Sequence, residues 1–261
     1  MSVEFLITGA GGALGSVILR QLVREGASAV GTLSVAGPAP GFGNTQRVDL
    51  ADATAIAGLI EGVRPRTIVH AAAMTSVQAA YDNPALARTV NVDATERIAE
   101  SAETFGARLV YVSTDMVFDG SEPPYGEEAV TRPLSVYGRT KAVAERVVRS
   151  MTGSLVIRLP LLYGLPGVAR GTTFLNQMTA LRRGESLRLF EDEYRSPIDV
   201  EDAASSILLA ARSDYSGVLH VAGPQRLSRL EMGYIMADAL GVPREQVVAV
   251  KQAEMKFAEA R

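Results

Sequence analysis

Tyr137 and Lys141 stand four residues apart in the stretch Tyr137-Gly138-Arg139-Thr140-Lys141. The chain uses arginine almost everywhere: of its 26 basic residues, only Lys141, Lys251 and Lys256 are lysines. A lysine kept where arginine is the rule points to chemistry that needs a compact ammonium rather than a broad, permanently charged fork. One helical turn from a phenol, such a cation favours tyrosinate and lowers the tyrosine pKa, which makes a usable proton donor near neutral pH. The bland alternative is a solvated lysine beside an unrelated tyrosine, and this spacing alone is common. A second set of groups lies upstream. Ser113-Thr114-Asp115 closes an apolar, β-prone run, Leu109-Val110-Tyr111-Val112. A hydroxyl there can hydrogen-bond a substrate oxygen, although Ser, Thr and Asp are equally suited to a turn or a helix cap.

The element that would hold a cofactor beside these groups opens the chain. An apolar run ending at Thr8 breaks into Gly9-Ala10-Gly11-Gly12-Ala13-Leu14-Gly15, and apolar periodicity resumes at Leu14, Val17, Ile18 and Leu22. This is strand, tight turn, helix. Gly9, Gly12 and Gly15 let the backbone turn sharply, approach a pyrophosphate and pack the helix on the sheet. The start of the helix, at Ala13 and Leu14, offers N–H groups and a partial positive charge to phosphates. Ala71-Ala72-Ala73, after the strand at 67–70, is small enough to let a cofactor approach.

The choice of cofactor turns on the end of the second strand. An NAD site wants an acid roughly 20 residues past the glycines to hold the ribose 2′-hydroxyl. Thr32-Leu33-Ser34-Val35-Ala36 carries no acid, and no arginine to attract a 2′-phosphate. NADP(H) is favoured, with NAD(H) as the alternative and Ser34 as the residue at the ribose.

Bulk properties exclude several classes. With 261 residues the chain can bury a large core. Its net charge of −3 and scattered basic residues argue against a nucleic-acid partner. There is no cysteine and there are only two histidines, His70 and His220, so no metal site is expected. No apolar stretch is long enough to span a membrane, and the first strand begins too early for a signal peptide, so a cytoplasmic protein is expected.

Strands are expected at 29–33, 47–50, 67–70, 108–113, 155–159, 218–221 and 247–250. Helices are expected at 53–61, 83–104, 137–149, 174–183, 200–211 and 228–240. The alternation implies an α/β fold with a doubly wound parallel sheet. After Pro160 the pattern loosens. Residues 1–160 are read as the dinucleotide-binding domain, and 161–261 mainly as a smaller C-terminal substrate lobe with late sheet elements.

Taken together, these motifs resemble the extended short-chain dehydrogenase/reductase family, and within it the dTDP-4-dehydrorhamnose reductase branch. The likeness extends to Asn91-Val92, Met116-Val117-Phe118-Asp119-Gly120, Pro124-Tyr125-Gly126-Glu127 and Arg195-Ser196-Pro197, and covers nearly the whole chain. It implies a Rossmann-type fold, a nicotinamide cofactor and a Thr114/Tyr137/Lys141 catalytic triad. Lys141 would also hold the nicotinamide ribose, and Asp49-Leu50 would meet the adenine edge. The implied reaction is reduction of a 4-keto group on a nucleotide-sugar, with Tyr137 protonating the developing alkoxide and Thr114 orienting the carbonyl.

On the substrate side, Arg195 is the first candidate for the diphosphate. Asp115, Met116, Phe118 and Asn176 are further candidates, and Arg158 is either a phosphate ligand or a structural ion-pair partner. The branch usually has tyrosine where Met116 stands and asparagine where His70 stands. His70 reads as a satisfied strand-end residue and His220 as a buried strand residue. Relatives usually continue past Ala260-Arg261 into a proline-rich turn and a last helix, so the chain is expected to be truncated or naturally short. Two rival functions carry the same motifs. One is a nucleotide-sugar epimerase or dehydratase; the other is a non-catalytic NADP-binding regulatory subunit resembling the methionine adenosyltransferase β subunit. A homodimer is compatible with each.

Overall fold

The computed structural model describes residues 3–168 and 171–254. Lys256 and the chain end at Ala260-Arg261 lie outside them. Strand and helix alternate through β1 (Phe5–Thr8), α1 (Ala13–Arg24), β2 (Ala29–Leu33), β3 (Asn44–Arg47), α2 (Ala53–Val63) and β4 (Thr67–His70). Three helices follow, α3 (Val77–Asp82), α4 (Pro84–Arg88) and α5 (Ala94–Phe105), before β5 (Arg108–Thr114), α6 (Val136–Arg149) and β6 (Leu155–Leu159). The elements then shorten: β7 (Leu162–Tyr163), α7 (Thr173–Arg182), β8 (Leu187–Phe190), β9 (Tyr194–Arg195) and β10 (Ile198–Asp199). The described chain closes with α8 (Val200–Arg212), β11 (Gly217–His220), β12 (Leu227–Ser228), α9 (Arg229–Leu240) and β13 (Val247–Val250).

Seven parallel strands form the central sheet in the order β11-β6-β5-β4-β1-β2-β3. Helices cover both faces, which is why β1, β4 and β6 are buried throughout. On one face, Val17, Ile18 and Leu22 of α1 meet Ala203, Ala204 and Ile207 of α8. On the other, Ile56 and Ile60 of α2, Ile98 of α5 and Val148 of α6 share a core with Leu6, Ile68 and Leu109. Each fully buried leucine or isoleucine contributes about 1.5–3 kcal/mol relative to exposure. Strand order reverses between β1 and β4, and this opens a crevice at their C-terminal ends.

Local signals place several boundaries. Asn83 accepts a hydrogen bond from Leu86 N at 3.0 Å, with Pro84 at the first helical position. Ser228 and Glu231 form a capping box at the start of α9, and Gly241, at φ 65°, ends that helix.

Other boundaries move. The third strand is Asn44–Arg47 rather than 47–50, because pairing with β2 runs from Val30↔Asn44 to Leu33↔Arg47. Asp49 instead accepts from Ala51 N at 2.9 Å, in a turn leading to the Asp52 cap of α2. The single helix expected over 83–104 divides into α4, a π-helical turn at Thr89–Asp93, and α5.

Residues beyond 160 also form three two-stranded pairs, β10–β7, β12–β9 and β13–β8. Leu181, Leu189, Met236, Ala237 and Val247 make a small core of their own among them. The chain returns to the main sheet with α8 and β11. No helix among the described residues is long and apolar enough to cross a membrane.

Candidate active site

The crevice between β1 and β4 is shaped by backbone. Gly9 has φ 76°, and Gly12 N donates to Gly9 O at 2.8 Å, closing the turn. A Cβ on Gly15 would lie 2.3 Å from Gly9 O, and one on Gly9 would lie 2.9 Å from Ala72 N. These contacts hold α1, the turn and the Ala71-Ala72-Ala73 segment at backbone distance. No side chain caps α1, and its first turn carries no acid. The N–H groups over Ala13, Leu14 and Gly15 therefore face an opening suited to an anion, and a pyrophosphate fits the cradle. Asp49 is exposed and Leu50 half-buried after β3, while Ser34 is exposed just past β2.

His70, fully buried, anchors this edge from beneath. Thr95 Oγ1 donates to Asn91 O at 2.9 Å, so it accepts from His70 Nε2 at 3.0 Å. His70 Nδ1 then accepts from Thr8 Oγ1 at 2.7 Å, and Thr8 in turn accepts from Ala72 N at 3.1 Å. Burial, and then the nearby Lys141, push the imidazole down to about 3, so it is neutral. It is a connector, as its place at the end of a strand suggested.

β5 and α6 bring the hydroxyl groups together. Ser135 caps α6 through Gly138 N at 3.0 Å. A Cβ on Gly138 would lie 2.4 Å from Met116 O, so the turn after β5 rests directly on the start of α6. Thr114 and Tyr137 are thereby joined by a hydrogen bond between their hydroxyls. Tyr137 is buried, and its pKa is pushed up to about 12, first by burial and against the Thr114 hydrogen bond; Asp115 raises it and Arg195 lowers it.

This overturns the expectation that Lys141 lowers the Tyr137 pKa. The Lys141 ammonium turns away, donating to Val112 O at 2.7 Å and lying 4.1 Å from the centre of the Tyr111 ring. Burial lowers its own pKa to about 7, against the pull of Glu145. A raised tyrosine pKa keeps the proton in place at neutral pH, where a far more basic alkoxide can still take it.

The substrate side is built from charged side chains. Arg195 Nε donates to Asp115 Oδ2 at 2.7 Å, and Nη2 to Asp115 Oδ1, a bidentate pair. Arg195 also lies 3.6 Å from Glu193, which faces Arg229 at 3.8 Å. Arg229 lines a cleft with Leu162, Tyr163, Phe174, Gln177 and Met232. The diphosphate role expected of Arg195 thus meets a guanidinium already paired with Asp115.

The other substrate-side candidates have surroundings of their own. Asn176 is exposed on α7, and it is Gln177 that faces the cleft. Phe118 stacks on Tyr125 with centroids 4.3 Å apart, meets His220 edge-on and has the Arg158 guanidinium 5.0 Å from its ring centre. Met116 packs against Tyr137, Ala80 and Ala87. Arg158 is the structural partner of the two roles considered: it is bidentate on buried Glu145 and reaches Glu127 O at 3.0 Å. His220 is half-buried beside it.

Glu145 was signalled only by its spacing. It is one further turn along the face of Tyr137 and Lys141, and it accepts from Ser113 Oγ. No pattern along the chain pointed to Arg47, Gln177 or Arg229.

A glycine cradle at β1, paired hydroxyls at the end of β5 and a largely apolar cleft edged by Arg229 define a nicotinamide-dependent oxidoreductase fold of the extended short-chain type. The chain belongs to the family described as RmlD substrate binding domain, whose model matches residues 3–261. It is 34% identical to the methionine adenosyltransferase 2 subunit beta of Xenopus tropicalis, over 91% of this chain and 72% of that protein. It is 30% identical to the "Probable low-salt glycan biosynthesis reductase Agl14" of Haloferax volcanii, over 90% of this chain and 79% of that one. Among solved structures, a dTDP-4-dehydrorhamnose reductase from Bacillus anthracis in complex with NADP superposes with a TM-score of 0.86 at 26% identity, covering 100% of this chain and 88% of that one.

Proposed function

We propose that the protein reduces the 4-keto group of a nucleotide-sugar, with NADP(H) favoured as cofactor and NAD(H) as the alternative. The observation that carries this reading is the Thr114–Tyr137 hydroxyl pair at the end of β5, two strands from the glycine cradle of β1. When bound, the nicotinamide supplies the hydride. Ala13, Leu14 and Gly15 would hold the pyrophosphate through backbone N–H groups, and the small Ala71, Ala72 and Ala73 would leave room beside it. Tyr137 holds a proton at its hydroxyl and donates it to the substrate oxygen. Thr114 fixes the direction of that donation. Lys141, now bonded to the Val112 carbonyl, would donate to a ribose hydroxyl. Arg195 would leave Asp115 for a substrate phosphate, and the Leu162–Phe174–Met232 cleft would receive the apolar face of the nucleotide or sugar.

The test is a screen of nucleotide 4-keto sugars with NADPH and NADH, following loss of reduced cofactor. Turnover that disappears in Tyr137→Phe supports the reading; no turnover by a protein that binds the cofactor overturns it. A nucleotide-sugar epimerase or dehydratase would instead convert its sugar without added reductant. The identity with methionine adenosyltransferase 2 subunit beta favours one further reading, a subunit that binds the cofactor without turning over. Co-elution with a methionine adenosyltransferase catalytic chain, in the absence of sugar reduction, would establish it.

A further inference from the structure

Along the chain, the stretch after β2 has no arginine; in space it has one. Parallel pairing sets Arg47 opposite Leu33, the last residue of β2. Its Nη1 donates to the carbonyls of Ser34 and Val35, each at 2.8 Å, and of Gly37 at 2.9 Å. Gly37 N donates back to Ser34 O at 3.0 Å, so residues 34–37 fold as a turn around one guanidinium nitrogen. The loop this turn begins reaches the glycine cradle: a Cβ on Gly11 would lie 2.8 Å from Pro38 O and 3.4 Å from Leu33 Cδ2. The guanidinium is therefore fixed at the edge where this fold reads the adenosine ribose.

Arg47, Arg158 and Arg195 differ in what fills the same side of the fork. Arg158 and Arg195 each turn the Nε and Nη2 edge to a carboxylate, Glu145 and Asp115. Arg47 uses only Nη1, and among the described residues its Nε and Nη2 donate to no protein acceptor and no carboxylate pairs with it. The edge left over is the one that suits two oxygens of a phosphate. An unmodified ribose offers it no oxyanion, and no acid stands at the end of β2 to hold the 2′-hydroxyl.

We infer that Arg47 is the residue that recognises the 2′-phosphate of NADP(H), from β3 rather than β2. This rests on reading the glycine cradle as a nicotinamide-dinucleotide site. Nη1 holds the turn, and the Nε–Nη2 edge receives the phosphate.

The experiment is a fluorescence titration of NADPH and NADH against wild type, Arg47→Ala and Arg47→Gln, without any sugar. Competition by 2′,5′-ADP and 5′-ADP isolates the phosphate from the nicotinamide. Wild type should bind NADPH more tightly than NADH. Both variants should bind NADPH about 10- to 100-fold more weakly, the scale of losing hydrogen bonds to a charged group. NADH should change little, and the preference for 2′,5′-ADP should vanish. The glutamine amide can still donate to the carbonyls of the turn, so its selective loss of NADPH separates recognition from stapling. Equal losses for both cofactors, unchanged NADPH affinity in either variant, or a wild-type preference for NADH would overturn the inference. Because no sugar is present, failure to reduce nucleotide-sugars leaves the inference standing. Failure of wild type to bind either cofactor removes it together with the cofactor reading.

Discussion

Along the cofactor edge of the crevice, backbone packs on backbone, down to the 2.3 Å that would separate a Gly15 Cβ from Gly9 O. Along the substrate edge, the distances are set by long side chains, Asp115 to Arg195 to Glu193 to Arg229. The contrast shows where each edge can change. Backbone contacts have no slack, and they suit a pyrophosphate that every dinucleotide shares. Ion pairs such as Arg195–Asp115 can be re-formed without moving a strand. Tyr137 stands between, held by Thr114 from one side and acted on by Asp115 and Arg195 from the other.

The largest effect should come from breaking the rigid edge. Gly15→Ala forces a methyl into the Gly9 carbonyl; stability should fall by about 1–3 kcal/mol, as for other overpacked sites. NADPH binding should be lost, as read by denaturant melts and fluorescence titration. Wild-type affinity in this variant would mean that the edge has slack after all. Tyr137→Phe should leave both edges intact. Turnover should fall by roughly 10²-fold or more, the scale of losing a general acid, with NADPH affinity unchanged.

Arg195→Met tests the adjustable edge. The KM for a validated nucleotide-sugar should rise by about 10-fold, the cost of a lost charged hydrogen bond, while the Kd for NADPH stays put. A fall in NADPH affinity instead would show that the two edges are not independent.

The last effect is a slope, and it tests neither edge directly. The folded pKa of Lys141, about 7, lies below its ordinary value of 10.5, so between these values the unfolded chain binds the extra proton. The cofactor-free protein should therefore gain stability as pH rises from about 7 toward 10.5, and this contribution should be at its lowest and flat below pH 7. Lys141→Met should lack the rise in urea melts taken across that range. A rise of equal size in the variant would place its origin elsewhere.

Within the site, legibility followed the same division. The glycine turn, the small segment at Ala71-Ala72-Ala73 and the Ser135-capped helix carrying Tyr137 are contiguous, and each announces itself through a few neighbouring residues. Thr114 was legible for the same reason, as the end of an apolar run. The partner of Lys141 was not: the four-residue spacing placed Tyr137 on its face of α6, but the ammonium is bonded to Val112, which belongs to β5. The stack of Phe118 on Tyr125 and the place of Gln177 at the cleft were not legible either, because each depends on how separate elements pack.

By itself, the amino-acid sequence determined the parallel doubly wound sheet, most of its helix and strand limits, the cradle and the residues able to carry a proton, because periodicity, capping and glycine freedom act over a few residues. The tertiary structure alone decided which charges meet. Asp115 and Arg195 are 80 residues apart and are joined only when β9 comes to lie against the end of β5. Arg47 reaches the Ser34 turn only because β3 pairs with β2 in the register Leu33↔Arg47. A shift of one residue along that strand would turn the guanidinium to the opposite face of the sheet.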